Sequence, residues 1–425
     1  MTTLSKSTKA LHAGHDPDLT HGTRAVPIYQ SSSYVFDDTE HAANLFGLKE
    51  FGFIYTRLNN PTNDILEKRL AALEGGVGAA VFASGTAAIS STFLTLLKSG
   101  DHIVSSSSLY GGTYNLLNVT LPRFNIESSF VEADDVTNFE AAIKTNTKAI
   151  FIESLGNPKL DVLDIEAIAQ IARNNKIPLI VDNTVASPAL LNPIKHGANI
   201  VIHSLTKFIG GQGSSLGGVV IDAGTFDWTN GKFEEFTEPS KGYHGLKYSE
   251  ALGEIAFIIK LRLEGLRDLG GALSPFNAFQ ILQGLETLDV RIKQHSQNAL
   301  ALAEWLESHP KVDWVNYPGL KSSKYHALAE RYLPKGQSGI VTFGIHGGYE
   351  AAKRLTDATS LFSLLANIGD TKSLIIHPAS TTHQQLTEAQ QISSGVSKDL
   401  IRLSVGLESV EDLKNDIDQA FKTII

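Results

Sequence analysis

The sequence predicts an α/β fold in which a mostly parallel central sheet is joined to a smaller C-terminal α/β domain. From about residue 61, short apolar runs rich in Val and Ile alternate with helical stretches, a pattern typical of βαβ units. The 425 residues are 42% hydrophobic and 19% charged, so the chain can bury a large core. Ligands of such folds bind at the carboxyl ends of the parallel strands, so the residues after each apolar run are the first candidates for a functional site.

The elements are predicted in three parts along the chain. Residues 1–60 show little periodicity and are predicted to form an extended arm, followed by one α/β domain over residues 61–273 and a second over residues 274–425. The first domain is predicted to contain helices over Asn63–Leu73 and Ile165–Arg173, strands over Ala79–Ala83, His102–Ser105, Ala149–Ile152, Pro178–Val181, Ile200–His203 and Gly217–Ile221, and a long loop over Asp227–Tyr248. The second is predicted to contain helices over Phe276–Leu288 and Ile292–Leu306 and strands over Val341–Ile345 and Ile401–Val405.

Composition and charge exclude several classes of protein. The chain carries 36 Lys and Arg against 45 Asp and Glu, a net charge of −9 without a basic cluster, so nucleic-acid binding is not expected. No apolar run approaches the roughly 18 residues of a membrane-spanning helix. The first residues lack the apolar segment of a secretory signal, so a cytoplasmic protein is expected.

Metal and thiol chemistry are not expected either. There is no cysteine, which excludes disulfides, thiolate metal sites and a cysteine nucleophile. His12, His15 and His21 lie close together in the arm, but their spacing is not that of a helical metal site. No metal is therefore predicted.

Two segments after predicted strands could together hold a phosphate. Ser84, Gly85 and Thr86 come after one strand and begin a helix, where free backbone N–H groups and the helix dipole favour an anion. Ser204 and Thr206 follow another strand two residues apart, so in extended backbone their hydroxyls would point the same way. A helix cap without a ligand is the alternative interpretation of the first segment.

Three further residues near strand ends extend this set. Asp182 could pair with a protonated ring nitrogen, Lys207 could form a Schiff base with an aldehyde, and Tyr110 could stack on a flat ring. A phosphate, an aldehyde and a ring with a basic nitrogen together describe pyridoxal 5′-phosphate (PLP). Taken singly, the Asp is as readily a turn former and the Lys a solvated charge, so both interpretations remain open at this point. The nucleotide motifs GxxxxGK[ST] and GxGxxG are absent.

Around these residues the sequence resembles the Cys/Met-metabolism family of PLP-dependent enzymes, the trans-sulfuration enzymes. The resemblance covers essentially the whole chain and implies the aspartate-aminotransferase-like fold, PLP-dependent transferase fold type I. The matching motifs are YTRLNNPT at 55–62, ASGTAA at 83–88, LGNP at 155–158, VDNT at 181–184, VIHSLTKFIGG at 201–211 and IRLSVGLE at 401–408.

The resemblance implies a role for each candidate residue. Lys207 would be the Schiff-base and catalytic lysine, Asp182 would keep the ring nitrogen protonated, and Tyr110 would stack on the ring. The phosphate would be held by Ser84, Gly85, Thr86, Ser204 and Thr206, together with Tyr55 and Arg57 of a neighbouring subunit. Asn157 would lie beside the 3-oxygen, Arg402 would grip the substrate α-carboxylate, and Asn367 and Tyr55 would contact the substrate. Because the arm would complete a neighbour's site, a homo-oligomer is expected: at least a dimer, and in full a tetramer of paired dimers.

Within the family, two segments resemble the O-acetylhomoserine sulfhydrylases: the insertion Trp228–Tyr248 and the loop Ala366–Asp370. The resemblance implies γ-replacement, in which O-acetyl-L-homoserine and sulfide give L-homocysteine and acetate in methionine biosynthesis. Methionine γ-lyase, cystathionine γ-lyase and cystathionine γ-synthase activities are the alternatives. Cystathionine synthases and γ-lyases usually carry Glu in place of Ala366, and methionine γ-lyases Cys in place of Gly112. A non-enzymatic binding protein is the alternative from a different class.

Overall fold

The computed structural model describes residues 4–17, 21–385 and 387–424. The strands found in these residues, numbered along the chain, are β1 Gly78–Phe82, β2 His102–Ser106, β3 Glu127–Val131, β4 Thr147–Glu153, β5 Leu179–Asp182, β6 Ile200–Ser204, β7 Gly218–Asp222, β8 Val312–Asn316, β9 Ile340–Ile345, β10 Ser363–Leu364, β11 Leu374–Ile376 and β12 Leu400–Ser404. The α-helices are α1 Lys6–His12, α2 Thr39–Phe46, α3 Pro61–Glu74, α4 Gly85–Leu96, α5 Gly111–Asn115, α6 Thr137–Ala142, α7 Ile165–Asn174, α8 Ser187–Leu190, α9 Glu234–Thr237, α10 Tyr248–Leu252, α11 Ala256–Lys260, α12 Pro275–Glu286, α13 Leu288–Glu307, α14 His326–Tyr332, α15 Gly348–Ala358, α16 Glu388–Ser393 and α17 Val410–Phe421. In the part of the chain described, none of these helices is long and apolar enough to cross a membrane.

The larger sheet has the strand order β1-β7-β6-β5-β4-β2-β3. The pairs from β6 to β3 are all parallel, whereas β7 runs antiparallel to both β1 and β6. Apolar side chains on both faces are fully buried, as expected for a sheet covered by helices on each side. The predicted mostly parallel central sheet is therefore confirmed, and the ends of β4, β5 and β6 come together at one edge.

The smaller sheet has the strand order β10-β11-β12-β9-β8 and is antiparallel except for the pair β10 and β11. Its core lies between the sheet and helices α13, α15 and α17. The sequence predicted β9 and β12, which are mostly apolar and buried along their whole length, but not the other three strands. β8 mixes polar and apolar residues without strict alternation and is partly exposed, and β10 and β11 are only two and three residues long, so their patterns are too weak to recognise.

The amino-terminal region differs from the predicted extended arm. α1 begins at a cap in which the Ser5 side chain accepts a hydrogen bond from the Thr8 N–H, and it buries Ala10 in the core of the same chain. The ammonium of Lys9 donates to the Ala72 carbonyl at 3.0 Å and that of Lys6 to the Pro188 carbonyl. The later part of the arm also packs on its own chain, since Val26 joins the same core and α2 buries Leu45. Helix α1 is too short and too polar for periodicity to indicate it.

The segment 227–248, predicted as a loop, is held by buried aromatic rings. Trp228 stacks on Phe236 with ring centroids 4.3 Å apart, and Phe233 packs edge-on against Trp228 at 5.1 Å. These rings join the core that covers one face of the larger sheet. The segment is thus an ordered insertion whose regularity comes from tertiary packing rather than from sequence periodicity.

The start of α4 lies close against β7, and this contact fixes the position of the helix end. Ser84 caps α4 by accepting a hydrogen bond from the Ala87 N–H at 3.1 Å. A Cβ on Gly218 would lie 2.1 Å from the Ser84 carbonyl oxygen, and one on Gly85 would lie 2.7 Å from the Ser204 Cβ. Both glycines are therefore required for the helix start to lie against β6 and β7.

We predict that Gly218→Ala destabilises the protein, because the added methyl group would collide with backbone rather than with a movable side chain. Overpacking of this kind costs about 1–3 kcal/mol. The measurement is the midpoint of thermal unfolding, with Gly242→Ala as the matched control because a Cβ there would meet only the Ser240 hydroxyl at 3.9 Å. Equal midpoints for the two variants would contradict the close approach.

Candidate active site

A cavity of about 330 Å³ lies at the carboxyl ends of β4, β5 and β6 and is closed by residues of the smaller sheet and its loops. Eleven of the thirteen residues predicted for the site line it: Ser84, Gly85, Thr86, Tyr110, Asn157, Asp182, Ser204, Thr206, Lys207, Asn367 and Arg402. Segments far apart in sequence therefore converge on one cavity.

The two segments predicted to hold a phosphate lie side by side. The start of α4 meets the end of β6, because Gly85 has no side chain to separate it from Ser204. The Thr206 hydroxyl donates to the Gly217 carbonyl at 3.3 Å and accepts from the Gly217 N–H at 3.1 Å, so it is already tied to the backbone. The Ser84 hydroxyl can still donate a hydrogen bond, because its oxygen is the acceptor in the bond that caps α4. This end of the cavity offers helix N–H groups and hydroxyls, which suit an anion.

Asp182 ends β5 and is buried. Its carboxylate accepts a hydrogen bond from the Thr184 N–H at 2.9 Å. Burial raises the pKa of Asp182 above its ordinary value, and the bonds from Thr184 oppose that shift. A cationic group beside the carboxylate would lower its pKa again and keep it ionised. The site can therefore hold a protonated nitrogen at this point.

Lys207 follows β6 and reaches across the cavity to the loop before β11. Its Nζ donates to the Asn367 Oδ1 at 2.6 Å. Burial, and then the charge of Arg402, lower the pKa of Lys207 to about 8 from 10.5. An amine with such a pKa has a useful neutral fraction near neutral pH, which both addition to an aldehyde and proton transfer require.

Arg402 lies in β12 of the smaller sheet and is buried. Its two terminal nitrogens donate to the Asn157 Oδ1 at 3.0 Å and to the Asn367 carbonyl at 3.2 Å. No carboxylate pairs with it among the described ion pairs. A fixed guanidinium of this kind can bind a carboxylate brought by a ligand.

Tyr110 precedes α5 at the rim of the cavity. Its backbone N–H donates to the Glu153 Oε1 at 2.6 Å, which fixes the start of the helix. A Cβ on Gly112 would lie 2.5 Å from the Tyr110 ring, so the absence of a side chain at 112 leaves room for the ring.

Sequence reasoning missed several residues that line the cavity, of which Glu153, Thr184, Thr382 and His383 carry polar side chains. Glu153 ends β4 and pairs in register with Asp182 of β5, so the strand-end rule used for Asp182 could have found it. Burial and the nearby Asp182 raise the pKa of Glu153 well above its ordinary value. His383 lies in an irregular segment after β11, where no sequence signal indicated it.

Tyr55 and Arg57, the other two predicted residues, do not line the cavity of their own chain. Tyr55 is exposed, and the Arg57 guanidinium lies 5.3 Å from the Tyr55 ring centroid and donates to the Arg267 carbonyl at 2.6 Å. Their assignment to a neighbouring subunit's site stays a prediction. In the described residues, no group of three or more His, Asp or Glu side chains could hold a metal ion.

The donor set fits PLP. The cavity combines an anion seat at the α4 start, a buried carboxylate at Asp182, an amine of lowered pKa at Lys207 and a phenol ring at Tyr110. In addition, Gly218 lies against the backbone of Ser84. A side chain at position 218 would displace the start of α4, where the phosphate would bind.

The environment of Lys207 makes its reactivity testable. In the cofactor-free protein we predict that methylation of Lys207 by formaldehyde and a mild reductant, followed by peptide mass, has a pH midpoint near 8 rather than 10.5. Arg402→Gln should raise the midpoint, because it removes a repelling cation, but not to 10.5, because burial is the larger cause. Exposed lysines in the same digest serve as internal controls. A midpoint near 10.5 in the unaltered chain would contradict the described environment.

Comparison with known proteins agrees with this geometry. The sequence model of the family described as Cys/Met metabolism PLP-dependent enzyme matches residues 7–422. An O-acetyl-L-homoserine sulfhydrylase of Leptospira meyeri is 58% identical and covers 98% of this chain and 96% of its own. A homocysteine synthase of Schizosaccharomyces pombe is 51% identical, with 98% and 97% covered.

A solved structure is similar over the whole fold. It is described as an O-acetylhomoserine (thiol)-lyase from Campylobacter jejuni and carries N'-pyridoxyl-lysine-5'-monophosphate. It is 46% identical, has a TM-score of 0.96 and covers 99% of this chain and 100% of its own. The fold type I architecture predicted from the motifs is confirmed. The chain belongs to the Cys/Met metabolism family of PLP-dependent enzymes, and its cofactor is pyridoxal 5′-phosphate.

Proposed function

We propose that this chain catalyses γ-replacement, converting O-acetyl-L-homoserine and sulfide to L-homocysteine and acetate. The observation that carries the proposal is the presence, in one cavity, of an amine suited to an aldehyde at Lys207 and a fixed cation suited to a free α-carboxylate at Arg402. Relatives named O-acetyl-L-homoserine sulfhydrylase and homocysteine synthase support the choice of reaction.

The chain's own residues supply binding and proton transfer. When bound, PLP supplies an electron sink conjugated to the substrate's reacting carbons. Asp182 would hold the ring nitrogen's proton, and Tyr110 would cover the ring. Arg402 fixes the α-carboxylate, which leaves the substrate's Cα proton within reach of the Lys207 side chain. Lys207 Nζ, whose pKa is about 8, takes that proton and can return one later.

The charges in the cavity favour the acetyl ester over the succinyl ester. Among the described residues, Lys207 and Arg402 are the cavity's only lysine and arginine, and both already have a role. The lysines of the insertion, Lys232, Lys241 and Lys247, do not line it. The distal carboxylate of a succinyl ester would therefore lose hydration without an ionic partner, which commonly costs several kcal/mol.

The alternative activities on this scaffold are less well supported. Methionine γ-lyases usually have Cys in place of Gly112, and here a side chain at 112 would displace the Tyr110 ring. Cystathionine synthases and γ-lyases usually have Glu in place of Ala366, which lines the cavity in this chain. The substrate side of the cavity therefore differs from those enzymes at two points.

The proposal includes the assembly and the division of the chain. Residues 61–273 form the cofactor-binding domain and residues 274–425 the C-terminal domain, and the region around Tyr55 and Arg57 completes the site of a neighbouring subunit. The exposure of Tyr55 and the distance of both residues from their own cavity support this role. A homotetramer of paired dimers in the cytoplasm is the expected state.

The ester preference tests the proposed function. We predict that kcat/KM with sulfide is about a hundredfold higher for O-acetyl- than for O-succinyl-L-homoserine, as ~2.7 kcal/mol of uncompensated desolvation would give. The products are identified in the same assays. Homocysteine with acetate supports γ-replacement, whereas a 2-oxo acid with ammonia would indicate a lyase. Equal values or a succinyl preference would contradict the charge argument.

Subunit mixing tests the shared site. We expect Arg57→Ala and Lys207→Ala to be inactive separately and to regain about a quarter of wild-type activity after random exchange, because half the dimers are then hybrids with one intact site. Mass spectrometry of tagged subunits confirms the exchange. Absence of recovery in exchanged dimers would mean that each chain completes its own site.

A further inference from the structure

The wall of the cavity formed by Arg402 and His383 carries two buried nitrogens without a protein partner. These are the Arg402 Nε and the His383 Nε2, and no other cavity-lining side chain in the described residues has such an atom. Arg402 is 7% and His383 4% exposed. Because buried polar atoms nearly always have a partner, the two nitrogens indicate where a polar ligand group binds.

Both side chains are held in place by other contacts. The terminal nitrogens of Arg402 donate to Asn157 and Asn367, which leaves the Nε edge of the guanidinium available. The His383 Nδ1 lies 2.9 Å from the Thr382 hydroxyl, and the backbone N–H of His383 donates to the Pro378 carbonyl at 3.0 Å. The two nitrogens therefore belong to a preformed surface.

The imidazole of His383 is neutral near neutral pH. Burial, and then the charge of Arg402, lower the pKa of His383 to about 4. The bond at one ring nitrogen of a neutral histidine sets the role of the other. When the Thr382 hydroxyl donates to Nδ1, the ring proton is on Nε2, and this tautomer makes Nε2 a donor.

The Nε2 atom of His383 lies near the start of α5. It is 4.0 Å from where a Cβ on Gly111 would be, and both residues line the cavity together with Tyr110 and Arg402. A carboxylate has two oxygens that accept several hydrogen bonds, more than one guanidinium edge can supply.

We propose that His383 is a second substrate-binding residue, whose Nε2–H donates to the α-carboxylate that the Arg402 guanidinium also binds. The proposal rests on the proposed function only in taking an amino acid as the ligand. In this proposal His383 contacts the α-carboxylate and not the ester group. A ligand with or without the ester would therefore make the same contact.

Ligand binding to the cofactor-loaded protein tests the assignment. Calorimetric Kd values are compared for L-homoserine and for 3-aminopropan-1-ol, which is the same molecule without its carboxylate. His383→Leu should weaken L-homoserine binding about tenfold, the size of one hydrogen bond to a charged group, and leave the amino alcohol within twofold. His383→Gln, which keeps an N–H donor, should recover part of the loss. Gln384→Leu, at an exposed neighbour, should change neither value.

Equal losses for the two ligands would overturn the proposal, since the contact would then be with another part of the substrate or structural only. No loss for either ligand would overturn it as well. If His383→Leu fails to retain its cofactor absorbance, the Gln variant decides by the same comparison. The proposed function fails separately, if the wild-type protein forms no homocysteine although it binds L-homoserine more tightly than the amino alcohol.

Discussion

The site depends on the hydrogen bonds of one buried group, the guanidinium of Arg402. It extends from the smaller sheet and is bonded to Asn157, in the loop after β4 of the larger sheet, and to the carbonyl of Asn367. The Asn367 side chain in turn accepts from the Lys207 ammonium. One continuous set of hydrogen bonds therefore joins both sheets to the lysine. A buried charge without partners is costly, so each member constrains the position of the next.

The same set of contacts determines the ionisation of the site. Burial and the charge of Arg402 lower the pKa of Lys207, while burial raises the pKa values of Asp182 and Glu153. Burial in a low dielectric therefore shifts the pKa values of these three groups towards their neutral forms. A ligand with a cationic ring nitrogen and anionic groups would oppose these shifts by pairing with the charged forms. The chemistry of the cofactor and that of the cavity are complementary in this sense.

Much of the fold could be predicted because the buried strands of the larger sheet are short apolar runs. β4, β5 and β6 were located within one or two residues, and Asp182 and Lys207 followed from their position after those strands. Helix α1 of the arm and the ordered packing of the insertion could not be predicted, because both depend on contacts with distant segments.

The residues that the smaller sheet and its loops bring to the cavity were harder to predict than most of those from the larger sheet. Arg402 and Asn367 came only from the family resemblance, since neither follows a strand of the larger sheet. Glu153 was within reach of the strand-end rule and was missed. His383 comes from an irregular segment that meets the cavity only through the tertiary fold, and no local pattern marks it.

Chemical trapping of the cofactor tests the central claim that these segments converge on Lys207. The purified, PLP-loaded protein is reduced with borohydride, digested and analysed by peptide mass. The account predicts one pyridoxyl-phosphate adduct per chain, on the peptide that contains Lys207. An adduct on another lysine, or cofactor that is released without any adduct, would contradict it.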